Sequence, residues 1–451
     1  RSASSSQVTE DVASGLFGTD GVRGAWGDKL TVELAVAVGD AAVALTKSDR
    51  PRAVILRDTR ESGPVLESAL AAGIAAAGGD ALLAGVLPTP AAPLLLAKHG
   101  FDLAFVVSAS HNPYGDNGIK IFGPDGDKIP DEQEAEIERL VAEGHPVNAP
   151  RPGRIEPLRG AFEDYLRDLA ERHEGLDLSG TRLLLDCANG ATSSAAPEIF
   201  RRLGAEVTVV ADEPNGTNIN DQCGSTHVES LADRAPAGEW DAAFAFDGDG
   251  DRVMALDSEG NVVDGDDLLL LLASHMTAQG DLRGGVALTV MANYGLHAAF
   301  EHAGVDVTTT PVGDRNVLAA LRELDWRLGG EQSGHIIDLN AGPCGDGIGT
   351  ALLALEALSG SPLTERPAFD RLPQELINVR IADRAGFEGN ANLEELIAQE
   401  SSELEGRGRI LVRASGTEPL IRVMVEAPTA DETHEVCQRI ADAVASELGT
   451  A

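Results

Sequence analysis

Three aspartates in a short glycine-containing run could bind a divalent cation. Asp247, Asp249 and Asp251 alternate with glycines, and glycine permits the tight backbone that brings alternate carboxylates to one point. Carboxylate oxygens are ligands that suit Mg²⁺. A calcium EF-hand is excluded, because a count from Asp247 puts Arg252 where the turn glycine must be and Ser258 where the bidentate glutamate must be. Apolar stretches on both sides weaken the alternative of a solvated acidic turn, so the run predicts a magnesium site.

A serine loop could exchange a phosphoryl group. Ser110 follows a predicted strand at Leu103–Val107, and α/β sheets bind ligands outside the carboxyl ends of their strands. A loop serine is by default a turn residue with a weakly nucleophilic hydroxyl, but His111 adds a polar group beside it. Lys120, one of only five lysines in the chain, can exchange a proton, whereas arginine stays protonated. A Ser-His hydrolase is disfavoured because the Gly-x-Ser-x-Gly elbow is missing.

A second loop, close to the C-terminus, has the composition of a phosphate-binding site. Arg413 supplies a guanidinium, Ser415 and Thr417 supply hydroxyls, and Gly416 lets a backbone N–H approach an anion closely. Arg422 follows on the next predicted strand. Two phosphate loops and a metal site together favour phosphoryl transfer.

A third glycine-rich turn offers polar groups for a sugar. Glu331, Ser333 and His335 lie within residues 329–335 and suit sugar hydroxyls or an amine. Taken alone the signal is weak, because a glycine-rich polar turn is usually only a loop.

Composition excludes several classes of partner. The 451 residues have a formal net charge of −38, which argues against nucleic-acid binding, since that depends on Lys and Arg meeting phosphates. So acidic a chain predicts a halophilic host, with an ordinary acidic cytosolic enzyme as the alternative.

No apolar run reaches the ~20 residues of a membrane span, and residues 1–14 do not resemble a signal peptide, so we expect a cytoplasmic protein. The four cysteines are far apart, which predicts buried apolar residues and no zinc or redox site.

The alternation of apolar runs and longer helical stretches predicts an α/β chain of several layered units. Strands are predicted at residues 53–56, 81–84, 103–107, 183–185, 207–210, 242–246 and 286–290, and helices at 31–45, 65–77, 162–171, 195–203 and 317–324. Linkers at 146–157, after residue 256 and at 359–373 divide the chain into residues 15–150, 151–256, 257–370 and 371–451. The last part, with strands at 376–380 and 421–426 and helices at 392–400 and 431–448, has a smaller α+β pattern.

The motifs, taken in order, resemble the α-D-phosphohexomutase family from one end of the chain to the other. The resemblance lies in residues 18–24, 108–120, 247–252, 330–335 and 413–419. It implies three similar α/β domains with mixed sheets, followed by a smaller α+β domain, around a central cleft. The predicted partner is a hexosamine or hexose phosphate, bound by a monomer or homodimer that engages neither nucleic acid nor membrane.

The resemblance also implies a role for each site residue. Ser110 carries the transferable phosphoryl group, and its phosphate oxygen is the fourth ligand of one Mg²⁺ held by Asp247, Asp249 and Asp251. Arg23 and Lys120 lie beside the reacting phosphate, and Lys120 and His111 are the candidates for proton transfer. The remaining residues bind substrate: Arg252 orients it, Glu331, Ser333 and His335 bind sugar hydroxyls, and Arg413, Ser415, Gly416, Thr417 and Arg422 bind the phosphate that is not reacting.

The reaction implied is interconversion of glucosamine 6-phosphate and glucosamine 1-phosphate through a 1,6-bisphosphate. Ser108, Gln332 and residues 185–191 and 214–227 resemble the family members that use the amino sugar. Residues 311–316 and 343–347 depart from their usual pattern, so mannose and glucose phosphates remain alternative substrates. A phosphosugar-binding protein without turnover and a metal-dependent phosphatase are the alternatives from other classes.

Overall fold

The computed structural model describes residues 15–18, 20–144, 149–234, 239–381, 386–387, 389–414 and 420–449. The chain forms two compact units. The first contains residues up to Met291 together with Thr308–Pro367, and the second contains Ala292–Val307 together with the chain from Ala368 onward.

The first α/β domain is built on a seven-stranded mixed sheet. Its strands are β1 (Phe17–Gly18), β2 (Gly21–Ala25), β3 (Arg52–Arg57), β4 (Asp80–Val86), β5 (Leu103–Val107), β6 (Asp116–Phe122) and β7 (Ile155–Pro157), and its helices are α1 (Val32–Ala44), α2 (Gly63–Ala76), α3 (Ala91–His99) and α4 (Asp131–Glu143). The strand order is β1-β2-β6-β5-β3-β4-β7. Strands β5, β3, β4 and β7 are parallel, whereas β1, β2 and β6 are antiparallel to their neighbours. Because β7 pairs with β4, the end of the predicted first linker is a strand of this sheet.

The second α/β domain has a five-stranded mixed sheet. Its elements are α5 (Ala161–Arg172), β8 (Arg182–Asp186), α6 (Thr192–Arg202), β9 (Glu206–Val210), α7 (Glu229–Arg234), β10 (Ala242–Phe246), β11 (Val253–Asp257) and β12 (Val262–Val263). The order β12-β11-β10-β8-β9 combines two parallel pairs with two antiparallel pairs. The turn after residue 256 joins β11 to β12, so this sheet continues beyond the linker predicted there.

The third α/β domain has a four-stranded sheet. Its elements are α8 (Gly265–Gln279), β13 (Val286–Thr289), α9 (Tyr294–Ala303), β14 (Val307–Thr310), α10 (Asp314–Leu324), β15 (Leu328–Gly330), β16 (Ile336–Asp338) and α11 (Gly347–Leu358). The order is β14-β13-β15-β16, with β13 and β15 parallel and β15 and β16 antiparallel. A capping box at Asp264 begins α8. Helix α9 belongs to the second unit.

The second unit contains the smaller α+β domain. Its elements are β17 (Gln374–Arg380), α12 (Ala391–Glu403), β18 (Arg409–Ala414), β19 (Leu420–Glu426) and α13 (Ala430–Leu448), and β19 lies between its two antiparallel partners. Glu426, which is fully buried, accepts hydrogen bonds from the Tyr294 backbone N–H at 3.0 Å and from Arg409 Nε at 2.7 Å. These bonds join α9 to the sheet within this unit.

The predicted fold class is confirmed: three α/β domains with mixed sheets precede a smaller α+β domain. The strands predicted at 103–107 and 242–246 are β5 and β10, and every residue of both is buried. All four cysteines are free and buried, as predicted. Among the described residues, no helix combines the length and apolarity that crossing a bilayer requires.

Candidate active site

Ser110 lies at the carboxyl end of β5, in the loop that leads to β6. It has a left-handed backbone conformation, with φ of 51°, and is almost fully buried. Its Oγ donates a hydrogen bond to Asp247 Oδ2 at 2.5 Å and lies 3.3 Å from His111 Nδ1. The hydroxyl therefore faces the aspartate loop of the next domain.

The three aspartates follow β10 and converge as their spacing predicts. One carboxylate oxygen from each of Asp247, Asp249 and Asp251 lies within 4.8 Å of the others, and all three residues are buried. Gly248 and Gly250 make this close approach possible: Gly250 has φ of 71°, and a Cβ on Gly248 would lie 2.5 Å from the carbonyl oxygen of Ser110. The aspartate loop and the serine loop therefore pack backbone against backbone.

The electrostatics of this triad fit a divalent cation. Burial, and then Asp251 and Asp249, raise the pKa of Asp247 well above its ordinary value. Burial by itself would raise the pKa of Asp251 too, but Lys120 and His335 beside it hold that pKa well below its usual range. Asp249 Oδ1 is buried and has no hydrogen-bond partner among the described residues. Crowded carboxylates with an unsatisfied buried oxygen are a donor set that suits Mg²⁺.

Lys120 reaches the triad from β6, the antiparallel neighbour of β5. Its Nζ lies 2.8 Å from Asp249 Oδ2 and 3.2 Å from both Asp251 Oδ2 and Asp20 Oδ2. Burial alone would lower its pKa, but Asp20, Asp249 and Asp251 raise it well above the ordinary value. Lys120 therefore lies in the site as an ammonium group, which can donate hydrogen bonds to phosphate oxygens.

Two arginines flank His111 on the side of the serine loop. Burial, and then Arg252 and Arg23, lower the pKa of His111 to about 4. Arg23, in β2, forms an ion pair with Asp20. The Nε atoms of both arginines are buried without a hydrogen-bond partner among the described residues. The two guanidiniums thus leave donors available for an anion beside Ser110.

The predicted sugar loop is the turn between β15 and β16. Glu331 Oε1 accepts the Gly313 backbone N–H at 2.9 Å, and Glu331 Oε2 lies 3.4 Å from Ser333 Oγ. His335 Nδ1 lies 3.5 Å from Asp251 Oδ1, and the backbone of His335 forms a β-bridge with that of Arg252. The structure therefore brings the predicted sugar loop of the third domain against the aspartate loop of the second.

Sequence reasoning did not single out Lys128. Its side chain is 9% exposed, and its Nζ forms an ion pair with Asp20 and another, at 2.6 Å, with Asp314 of the third domain. Both aspartates lie in motifs that the sequence analysis had already picked out, but no local pattern marks Lys128. A second buried pair, Asp58 and Arg60, lies behind the serine loop and was also missed.

The second predicted phosphate site is only partly described. Arg413 on β18 lies directly opposite Arg422 on β19, and Arg422 Nε is buried without a hydrogen-bond partner among the described residues. Like charges directly opposite each other on a sheet are destabilising, so an anion between these guanidiniums would be favourable. The predicted ligands Ser415, Gly416 and Thr417 lie outside the described residues.

Family models match along nearly the whole chain. All four are described as phosphoglucomutase/phosphomannomutase: alpha/beta/alpha domain I matches residues 14–147, domain II residues 163–260, domain III residues 264–375, and the C-terminal domain residues 376–443.

Relatives of similar length carry one enzyme name. The chain is 49% identical to a phosphoglucosamine mutase of Moorella thermoacetica over 440 residues, which cover 94% of this chain and 99% of the relative. It is 47% identical to that of Mycolicibacterium paratuberculosis over 444 residues, covering 96% and 99% respectively.

Solved structures show the same fold at lower identity. A phosphoglucomutase/phosphomannomutase family protein from Burkholderia thailandensis has a TM-score of 0.79 at 23% identity, covering 96% of this chain and 99% of that one. Aspergillus fumigatus N-acetylphosphoglucosamine mutase in complex with GlcNAc-6P and magnesium has a TM-score of 0.69 at 21% identity, covering 96% of each chain.

Proposed function

This chain belongs to the phosphoglucomutase/phosphomannomutase family, and from that premise we propose that it interconverts glucosamine 6-phosphate and glucosamine 1-phosphate. It is an isomerase of the intramolecular phosphotransferase type. Identity of 47–49% to two phosphoglucosamine mutases over nearly the whole chain supports the amino sugar as the substrate.

One observation carries the assignment of the reacting group. The hydroxyl of Ser110 lies 2.5 Å from the Asp247 carboxylate of the aspartate triad, and the ammonium of Lys120 forms ion pairs with the other two carboxylates, Asp249 and Asp251. A phosphoryl group on this oxygen would lie beside a cation site that also holds the positive charge of Lys120. Positioning and charge stabilisation of this kind are what phosphoryl transfer requires.

Asp247, Asp249 and Asp251 would hold one Mg²⁺ per active site, with an oxygen of phosphoserine 110 as the fourth ligand. When bound, the ion neutralises charge that develops on the moving phosphate oxygens. The protein's own contribution is to place these ligands beside the serine, because Gly248 packs closely against the Ser110 backbone.

The reaction has two transfers, both through Ser110. The bond between phosphorus and Ser110 Oγ breaks as the free hydroxyl of the sugar phosphate bonds to phosphorus, and the proton of that hydroxyl passes to a base. The neutral imidazole of His111 is the candidate base, and the ammonium of Lys120 is the candidate acid that gives a proton to the leaving Ser110 oxygen. The resulting 1,6-bisphosphate turns over in the site, and its other phosphate returns to Ser110. Arg23 stabilises the phosphate that is transferred.

The other binding residues hold the sugar and the phosphate that is not being transferred. Glu331, Ser333 and His335 bind sugar hydroxyls, and Arg252 orients the substrate. Arg413, Ser415, Gly416, Thr417 and Arg422 bind the phosphate that is not reacting, and they must accept it from either end of the sugar.

The close alternative is a phosphomannomutase or phosphoglucomutase of the same family. Kinetics of the purified phosphoenzyme on the 6-phosphates of glucosamine, glucose and mannose would separate these substrates. We expect the highest kcat/KM with glucosamine 6-phosphate. A strong preference for glucose or mannose phosphate would rule out the amino-sugar assignment.

Two alternatives from other classes, a phosphatase and a phosphosugar-binding protein, differ from a mutase in their use of Ser110. We expect intact mass to show one phosphate that the Ser110→Ala variant lacks, and we expect that variant to have no mutase activity. Ser68→Ala, at an exposed serine of α2, is the matched control and should retain full activity. A phosphatase would release phosphate steadily without isomerised sugar, and a binding protein would keep its phosphate when substrate is added.

A further inference from the structure

The buried ion pair Asp58–Arg60 lies directly behind the serine loop and has no place in the chemistry described above. Both side chains are fully buried, and Arg60 Nε lies 2.8 Å from Asp58 Oδ2. Burying an ion pair is costly unless further hydrogen bonds satisfy its remaining donors and acceptors. The partners of this pair therefore indicate what the pair does.

The remaining side-chain donors of Arg60 form hydrogen bonds with the backbone of the serine loop. Its Nη2 donates to the carbonyl oxygens of Ser110 at 2.9 Å and Asn112 at 2.8 Å. Its Nη1 donates to those of Pro113 and of Asp116, the latter at 3.0 Å. One planar guanidinium thus binds four carbonyls between Ser110 and the start of β6, a pattern that requires the fixed fork of arginine.

Asp58 reaches the other side of Ser110. Its Oδ2 accepts the Ser108 hydroxyl at 2.6 Å, and Ser108 Oγ in turn accepts the Ser110 backbone N–H at 2.9 Å. Both backbone polar groups of Ser110 are therefore linked to the same ion pair. Asn220 of the second domain adds a bond from its Nδ2 to the Ser110 carbonyl at 2.9 Å.

These bonds hold a conformation that the chain would not adopt unaided. A residue other than glycine is disfavoured in the left-handed region, yet Ser110 has φ of 51°. Such a conformation persists only where the surroundings over-determine it. Its consequence is the direction of the side chain, because the hydroxyl points at Asp247.

We propose that Arg60 is a positioning residue for phosphoryl transfer: with Asp58 and Ser108 it holds Ser110 in the left-handed conformation that aims Oγ at the metal-binding loop. The inference rests on the proposed function only in that Ser110 is the residue that carries the phosphate. The Arg60 side chain is fully buried and bonds Asp58 and four loop carbonyls, so its effect is on geometry.

The first test is Arg60→Lys, which keeps the positive charge beside Asp58 but cannot span four carbonyls. Misplacement of a reacting group by about 1 Å can cost about 100-fold in rate, so we expect kcat to fall by about that factor. KM should change little, because the residues proposed to bind substrate are untouched. Arg57→Lys is the matched control, since Arg57 is an arginine of β3 that bonds Glu67 and the Asp58 carbonyl. It should keep wild-type kcat.

A second variant separates positioning from stability. Arg60→Met alone would leave Asp58 buried without its counter-ion and should unfold at a lower temperature. The double variant Asp58→Asn/Arg60→Met removes both charges, so we expect it to recover much of the lost Tm while kcat stays low. A merely structural role predicts that kcat recovers together with Tm, and that result would overturn the proposal.

A crystal structure tests the positioning role of Arg60 independently of which sugar is the substrate. In a crystal structure of the folded double variant we expect Ser110 to leave the left-handed region and its Oγ to move away from Asp247. An unchanged φ and an unchanged Ser110–Asp247 hydrogen bond would refute the positioning role even if the glucosamine phosphates proved not to be the substrates. Failure of the wild-type enzyme on those sugars, with Ser110 displaced in the variant, would count against the substrate alone.

Discussion

Ser110 Oγ and Asp247 Oδ2 form a 2.5 Å hydrogen bond although 137 positions separate the two residues in the chain. Ser110 follows β5 of the first sheet and Asp247 follows β10 of the second, so the bond joins the carboxyl ends of central strands from two domains. Gly248, the residue after Asp247, packs on the Ser110 carbonyl. The proposed nucleophile and the predicted metal ligands are thus assembled by contact between domains.

That packing predicts a specific effect of Gly248→Ala. A Cβ at this position would lie 2.5 Å from the Ser110 carbonyl oxygen and 2.8 Å from Asn220 Nδ2, so the serine loop must shift. We expect kcat to fall by about 100-fold, with a loss of about 1–3 kcal/mol in the free energy of unfolding. Gly342→Ala, where nothing lies within 4 Å of the added Cβ, is the control for both measurements. Wild-type kcat in Gly248→Ala would show that the two loops tolerate separation.

Neutralising one member of the triad should weaken magnesium binding. Mutation of a group that only orients a metal ligand lowers metal affinity by about 10- to 100-fold. Asp249→Asn removes the charge of a proposed ligand itself, so we expect it to lower magnesium affinity by at least about tenfold. Magnesium titration of activity measures this. Added Mg²⁺ should also raise the Tm of the wild type by mass action, and raise that of the variant less. Asp221→Asn, at an exposed aspartate, should behave as the wild type, and equal magnesium responses in all three proteins would contradict the site.

Removing either cross-strand arginine should weaken substrate binding. A hydrogen bond to a charged group contributes about 1.5–3 kcal/mol, so we expect Arg413→Ala and Arg422→Ala each to raise KM by about 10- to 100-fold. Inorganic phosphate should inhibit both variants less than the wild type. Arg380→Ala, on the neighbouring strand of the same sheet, serves as the control. Unchanged KM in both variants would exclude this pair from phosphate binding.

The acidic composition predicts stabilisation by salt. With 73 acidic and 35 basic residues, self-repulsion opposes the compact state, and screening shortens its range to about 3 Å at 1 M salt. We expect Tm to rise between 0.1 and 1 M KCl. The variant Glu394→Gln/Glu395→Gln/Glu405→Gln neutralises three exposed carboxylates and should gain less from salt. A Tm independent of KCl would argue against a salt-adapted protein.

Local patterns were sufficient for the most apolar strands and for the motifs that follow them, but not for every element. Strands β5 and β10 are continuous apolar runs, and such runs are readable because burial on both faces selects them directly. The triad and the serine loop are contiguous residues that follow those strands. The edge strand β7 was not predicted, because its three exposed residues include a single strand-favouring one, Ile155, lie in a proline-rich stretch, and are ordered by pairing with β4.

Other features depend on packing between residues that are distant in sequence. Arg60 and Lys128 read as ordinary charged residues, yet both are buried because the chain places loop carbonyls or carboxylates around them. Likewise, α9 precedes the last strands of the third sheet in sequence but joins the second unit through Glu426.

The sequence by itself determined which residue types are present for phosphate, metal and sugar, and that buried strands precede the serine and aspartate loops, because composition and periodicity are local properties. Only the tertiary structure decided that Ser110 is left-handed, that Asp58 and Arg60 are linked to both sides of it, and that its hydroxyl meets Asp247. Those relationships arise from contacts between loops far apart in the chain, and no local periodicity encodes them.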